Sequence, residues 1–385
     1  MANSLVALLG GTGHPFRHNE PARIAAHLAN GEGFSSPYAG SPIAPTAQQP
    51  PLYPFLEAVA FKIFGVYSLA ALRAIVWMNV LAGAAITLLI YLAGRRYAST
   101  VVGLMAGWTW ALLPAIAATD VYISNYALTT LVVLIWLLVI PSMPASSKAW
   151  ILLGLGLGVA VLLNSALLIL FPASYGWLVK KRRHALMALV TTVAVMTPWL
   201  IRNYLALGHF YPMLRDNVGL ELYIGNHAAM QENGVACAWN LCAGTYDYAN
   251  AYQGVAEMGE VPFIQKRTRE AVAYIRAEPG RFLQRSAKRL AGFWLLPYPW
   301  FYLVITVLAW IGAVQIAGPL GTFLVVMFGL YPVVFYATQI AWATSYRHPI
   351  EPLMLLSAGV VLTRACDQLI FPDKKIVSRL ITKLK

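Results

Sequence analysis

Residues 69–96 read LAALRAIVWMNVLAGAAITLLIYLAGRR, an apolar run interrupted by one arginine, Arg73, and closed by Arg95-Arg96. The run exceeds the ~20 residues that cross a bilayer core. A pair of arginines directly after it marks a span that ends on the cytoplasmic side. Further apolar stretches follow at 100–118, 124–140, 149–164, 166–179, 185–201, 300–316, 320–338 and 350–363. Together they predict an all-α polytopic membrane protein of about nine transmembrane helices, several of them short against the ~20-residue norm. Composition points the same way: 11% of the 385 residues are charged and 59% are hydrophobic, whereas roughly a quarter of a soluble domain is charged.

The formal net charge of +13 raises the question of an anionic partner such as nucleic acid, and its placement answers it. Arg95-Arg96, the run KKRR at 180–183 and the tail KKIVSRLITKLK at 374–385 all fall on one side if nine spans alternate. That is the positive-inside pattern, and no nucleic-acid partner is expected. The tail reads as a basic amphipathic helix on anionic lipid. The chain then divides into an extracytoplasmic first loop with interfacial helices (1–68), transmembrane helices (69–201), an extracytoplasmic loop and helical segment (202–298), transmembrane helices (299–364) and a basic cytoplasmic tail (365–385). Cys237 and Cys242 lie on the oxidising side and Cys366 on the reducing side; spacing alone leaves a Cys237–Cys242 disulfide open. No cysteine or histidine spacing of a zinc site occurs, so no metal ligand is assigned.

The first loop is polar. SLVALLGG at 4–11 is too short for a signal core or a span, so the chain is expected to lack an N-terminal helix. HNEPARIAAHLANGEGFSSPY at 18–38 contains Glu20, which has two readings. Asn19 as cap, Pro21 in the first turn and an acid at a helix start make a structural set. Alternatively, Glu20 is a general base facing the membrane surface. The prolines at 42, 45, 50, 51 and 54 forbid regular structure until a short interfacial helix begins near Pro54, with Glu57 and Lys62 its only charges.

Polar residues at the ends of spans supply the other candidates. Asp120 lies in a short extracytoplasmic loop. Arg202, Arg215 and Arg347 stand on that same face, against the positive-inside bias, and a lipid phosphate is a fitting partner for their guanidinium forks. His348 adjoins Arg347, and Glu351 opens a span, where an acid is costly and a functional candidate by default. Asn79 and Asn164, inside apolar runs, read as helix-packing hydrogen-bonders.

These segments together resemble bacterial members of the GT-C superfamily of polytopic glycosyltransferases, which includes protein mannosyltransferases and aminoarabinose–lipid A transferases. The likeness is carried by Glu20, Arg23-Ile24-Ala25, Leu28-Ala29, Gly31, the stretch GFSSP at 33–37, PTA at 45–47, PLYP at 51–54, TPWLIRNYLALGHFYPMLRDNVGLELYIGN at 197–226 and YRHPIEP at 346–352. It is nearest to an uncharacterised bacterial subgroup. Two positions depart from it: Asn19 precedes Glu20 where many relatives have aspartate, and Ser124-Asn125 stands where that subgroup has a Trp-Glu pair.

The resemblance implies a GT-C-like bundle in the bacterial inner membrane with its active site facing the extracytoplasmic side. It implies sugar transfer from a polyprenyl-phosphate donor to a lipid, glycan or protein acceptor, with membrane lipids as further partners. Glu20 and Asp120 would be catalytic. Arg202, Arg215, Arg347, His348, Glu351, Tyr53 and Asn226 would form the donor-phosphate and substrate-binding set. No cofactor is certain, and a divalent metal stays open. The competing readings are a non-catalytic truncated relative and a lipid-linked glycan transporter.

Overall fold

The computed structural model describes residues 19–38, 42–227, 254–338 and 343–370. The N-terminal apolar run, the Cys237–Cys242 pair and the basic tail lie outside the described residues. Within them, regular structure is helical apart from one isolated antiparallel bridge between Ser35 and Pro45.

In chain order the helices are α1 (Glu20–Ala29), α2 (Leu52–Phe64), α3 (Leu69–Tyr97), α4 (Thr100–Leu112), α5 (Pro114–Asp120), α6 (Tyr126–Val139), α7 (Ser147–Leu163), α8 (Arg182–Leu207), α9 (Val218–Gly225), α10 (Glu260–Ala277), α11 (Pro279–Leu295), α12 (Pro299–Gln315), α13 (Gly318–Leu330), α14 (Val333–Ala337), α15 (Ala343–Arg347) and α16 (Glu351–Ile370). Local chemistry sets the boundaries. Ser68 and Ser99 cap α3 and α4 by accepting from the amides of Ala71 and Val102, which satisfies helix-start donors that no carbonyl can reach. Pro114 disfavours helical geometry at Leu113 before it, and α5 departs from α4 by 69°.

Among the described residues, three helices are long and apolar enough to cross a membrane, Leu69–Tyr97, Tyr175–Leu207 and Gly318–Ala337, or up to five if the bent pairs α4–α5 and α11–α12 each count as one. The remaining apolar runs make shorter pieces. Tyr126–Ser142 and Ser147–Leu163 fall below spanning length. The run at 166–179, continuous in sequence, is divided into Ser165–Ile169, Leu170–Ala173 and Tyr175–Leu178. Asn164 starts that break: its side chain accepts from the Ala166 amide and turns the backbone out of α7. α16 has 20 residues, but carries Glu351, Arg364 and Asp367.

The outer surface is apolar. Leu186, Val190, Val193 and Ile201 on α8, and Val304, Val307, Ile311 and Val314 on α12, are exposed along one face of each helix. Contiguous apolar surface on this scale is uncharacteristic of a soluble monomer and belongs against lipid. The protein is an integral membrane protein. Because lipid is as apolar as the helix faces, such helices associate through close packing and hydrogen bonds. At the α3–α4 contact, Gly94 lies against Gly103, and a Cβ on Gly103 would stand 2.5 Å from the Tyr91 carbonyl oxygen.

The helix ends gather into two polar groups. At one, Arg96 donates to the Leu138 carbonyl (2.7 Å) and Ser142 Oγ (2.6 Å), and Lys181 donates to the Met143 carbonyl (2.5 Å). At the other, Asn79 donates to the Tyr122 carbonyl (2.8 Å), Asn19 to that of Ile123 (2.7 Å) and Asn125 to that of Leu163 (2.9 Å). All the candidate functional residues belong to the second group. Gly103→Val is expected to force α3 and α4 apart and cost about 1–3 kcal/mol, read as lost thermal stability of the detergent-solubilised protein beside an unchanged Gly156→Ala control, whose site has open space.

Candidate active site

The first loop is held over the bundle by two clamps on residues 46 and 47. Arg202, near the end of α8, donates to the carbonyls of Thr46 (2.6 Å) and Phe34 (2.8 Å), and its guanidinium lies over the rings of Trp199 (5.0 Å) and Phe34 (5.3 Å). Glu260, the first residue of α10, accepts from Thr46 Oγ1 (2.6 Å) and the Ala47 amide (2.9 Å). Asp216 adds a third tie, its amide donating to the Ala47 carbonyl (3.0 Å). Burial raises the pKa of both acids. Asp216 is pushed up well above the carboxylate range by burial first and by neighbouring Glu260 second, which makes it the member that keeps its proton to higher pH.

Clamped in this way, the loop presents Glu20 to a cavity of about 460 Å³. The structural set expected at Glu20 is present, and it leaves the residue at the cavity: Asn19 caps α1 by accepting from the Ala22 amide (3.3 Å), Pro21 takes the first turn, and Glu20 lines the cavity. Its Oε2 accepts from Gln49 Nε2 (2.8 Å). Arg215 faces the same space, brought there by a turn in which buried Leu214 has φ +64°, a conformation unusual for a side-chain-bearing residue. Asn203 secures the turn by donating to the Leu214 carbonyl (3.2 Å), and Asn217 Oδ1 accepts from Arg215 Nε (2.5 Å). The Arg215 terminal nitrogens have no hydrogen-bond partner among the described residues, which suits an anion.

Asp120, Arg347, His348 and Glu351 come together elsewhere, in a buried network below the second polar end. His348 Nε2 donates to Asp120 Oδ1 (2.9 Å), with Trp110 against its ring (4.6 Å between centroids). Arg347 donates through Nε to Glu351 Oε1 (3.1 Å) and through its other nitrogens to the Phe293 and Leu296 carbonyls. Tyr302 donates to the same Glu351 oxygen, and its ring lies 3.7 Å from the Arg347 guanidinium carbon. Asp120 packs on Gly83, where a Cβ would meet its Oδ2 at 2.6 Å. The network fixes α15, whose Tyr346 lines the cavity.

Arg202 is engaged by the loop carbonyls and does not line the cavity. Asn226 donates to the Leu222 (2.9 Å) and Ala337 (2.8 Å) carbonyls and accepts from Arg289 (3.3 Å). Tyr53 is buried beside Glu57 and Asn79, away from the cavity.

Several cavity residues carried no signal in the sequence. Gln49, Asn217, Glu221 and Tyr346 stand in or beside motifs that were read for other residues, and Tyr126, Ser165, Tyr331 and Phe335 lie towards the ends of apolar runs, while Asn125 is one of the positions that depart from the related subgroup. Asn164 does pack helices as expected, donating to Thr129 Oγ1 (3.2 Å), and also lines the cavity. Among the described residues, no group of three or more His, Cys, Asp or Glu is arranged to hold a metal ion.

A lipid-facing helical bundle with a polar cavity at one end, walled by a carboxylate and an arginine, has the parts of a membrane enzyme. Over residues 48–207 the chain matches the model of the family described as dolichyl-phosphate-mannose-protein mannosyltransferase. Among solved structures it is similar to ArnT from Cupriavidus metallidurans bound to undecaprenyl phosphate, at 15% identity and a TM-score of 0.38 over 96% of this chain and 78% of that one. The apo state of the same protein gives 15% identity and a TM-score of 0.39 over 92% and 74%. No residue role is carried over at that level of likeness. No curated protein sequence matches the chain.

Two outcomes test the clamp and the network. A group whose folded pKa is raised adds stability that is complete below its unfolded pKa and lost as pH rises through the folded value. Thermal stability is therefore expected to fall as pH rises through the range where buried Asp216 ionises, and Asp216→Asn is expected to flatten that slope. Glu351→Ala leaves Arg347 buried without its anion and is expected to cost about 3–5 kcal/mol, measured by unfolding in detergent.

Proposed function

We propose that the protein transfers a sugar from a polyprenyl-phosphate donor to a hydroxyl of a lipid, glycan or protein acceptor at the extracytoplasmic face of the bacterial inner membrane. In this reading the chain crosses the bilayer about nine times, the shorter helices and the broken 165–181 segment included, below the ~20-residue norm in several places. The observation that carries the reading is that Glu20 and Arg215, from the first loop and the segment after α8, line one cavity.

The chemistry follows from that pair. The acceptor hydroxyl attacks the anomeric carbon while the bond from that carbon to the phosphate oxygen breaks. The electron pair leaves with the lipid phosphate, and Glu20 takes the hydroxyl proton. Arg215 stabilises the charge that grows on the departing phosphate, and Asn217 holds its fork in position. Gln49 orients Glu20. Leu330, Val334, Met213 and Val218 line the cavity and are also exposed on the outer surface, an apolar mouth suited to a prenyl chain. Asp120, His348, Arg347 and Glu351 act as positioning residues for α15, while Arg202 holds the first loop. Tyr53 and Asn226 support the walls.

The test is transfer of a labelled sugar from polyprenyl-phosphate donors by the purified full chain. Glu20→Gln is expected to lower kcat by 10²–10⁴-fold, and Arg215→Ala to weaken donor use while Arg215→Lys restores part of it. Full activity in Glu20→Gln would overturn the base assignment. No transfer from any donor by folded protein would favour a non-catalytic role.

A further inference from the structure

Glu20 and Arg215 reach the cavity from segments far apart in the chain, yet both are tied to the same few residues of the first loop. On the Glu20 side the link is Gln49, three residues past Thr46, which donates to Glu20 Oε2 (2.8 Å). On the Arg215 side it is Asn203. This buried amide accepts at Oδ1 from Arg202 Nη1 (3.1 Å) and donates through Nδ2 to the Leu214 carbonyl (3.2 Å). The same Arg202 nitrogen holds the Thr46 carbonyl (2.6 Å). On the other side of Arg215, the Asp216 amide donates to the Ala47 carbonyl (3.0 Å). Both residues that flank Arg215 are therefore tied to residues 46 and 47, one through Asn203 and Arg202, the other directly.

The turn between these ties is one that its sequence does not favour. Leu214 has φ +64°, a left-handed conformation that a residue with a branched side chain keeps only when its surroundings hold it there. Lifting residues 46 and 47 breaks the Asp216 tie and frees Arg202, which orients the Asn203 amide. The turn then loses supports that aim Arg215 at the cavity. A phosphate on Arg215 accordingly binds best when the loop is seated, and such a difference in affinity is what lets a ligand shift an equilibrium. The effect is reciprocal, so a loosened loop weakens the phosphate site by the same factor.

We propose that Asn203 is a positioning residue that joins the two sides of the cavity, so that a phosphate on Arg215 seats the first loop and, through Gln49, sets Glu20 in place. The inference rests on the donor assignment proposed above. Residues 46–48 report the seating without touching the ligand. Their amides are all engaged, Thr46 with the Phe34 carbonyl (3.2 Å), Ala47 with Glu260 (2.9 Å) and Gln48 with Thr46 Oγ1 (3.0 Å), and none of the three residues lines the cavity. Exchange of these amides with solvent requires the loop to open.

The test is hydrogen exchange of the purified full chain with and without a short polyprenyl phosphate, beside the affinity for that lipid. Saturating lipid phosphate is expected to slow exchange at 46–48 about five-fold or more, in line with coupling between sites of typical size. Thr46→Val, which removes the hydroxyl that Glu260 holds, is expected to weaken lipid-phosphate binding several-fold although Thr46 lies outside the cavity. Asn203→Asp keeps an acceptor for Arg202, loses the donor to Leu214, and is expected to remove most of the slowing. An Asn203 with only a structural role would speed exchange equally with and without lipid, and that result in a folded Asn203→Asp protein would overturn the inference. So would unchanged affinity in Thr46→Val. An unaltered protein that binds the lipid phosphate with no change at 46–48 would also overturn it, whether or not either variant folds, and would leave the donor assignment standing. A protein that fails to bind polyprenyl phosphate itself would overturn both.

Discussion

The architecture of the polar end depends on what happens at Thr46 and Ala47. Two adjacent residues of an otherwise irregular loop are gripped by a guanidinium from the end of α8 and by a carboxylate at the start of α10. Neither partner is local, so the loop has no conformation of its own to fall back on and takes the shape that the later segment gives it. Gln49, three residues beyond Thr46, is thereby brought to Glu20. Without the clamps the cavity would lose one of its walls. The pairing of Asp216 with Glu260 beneath the loop carries a cost, since two acids share a dry site. Protonation of one of them reduces it.

A second constraint works from below. Arg347 and Glu351 are i,i+4 partners at the junction of α15 and α16, and both are almost fully buried. Buried ion pairs are weak sources of stability compared with apolar replacements, and this one gains through the carbonyls and the tyrosine that complete it. It fixes the α15–α16 junction, where Tyr346 lines the cavity and Arg347, His348 and Glu351 do not.

The bundle was readable because lipid imposes a simple composition, and the first loop because its polarity conflicts with that composition. Glu20 and Arg215 stood out for the same reason. Asp120, Arg347, His348 and Glu351 stood out equally, yet they face one another across helix ends. A charged residue next to a span looks alike in sequence whether it faces ligand or partner. Tyr126, Tyr331 and Phe335 were hidden by the opposite effect. Amides and aromatics at the ends of apolar runs are ordinary packing residues, and only the return of α13 to α15 past the end of α6 brings them to one space. The run at 166–179 was read as one segment because a continuous apolar stretch has no period that reveals a break.

The 89° turn between α11 and α12 sets a depth. With α12 along the bilayer normal, α11 lies in the plane of the membrane surface. Arg289 on α11 holds the carbonyls of Gly225, Tyr336 and Ala337, the trailing ends of two helices that wall the cavity. In that orientation a helix that has no part in the lining would hold the cavity level with the surface. A lipid-tethered substrate of the proposed kind would meet it by lateral diffusion alone, so that encounter is a search in two dimensions, governed by the amount of lipid per membrane area and not by concentration in the surrounding water.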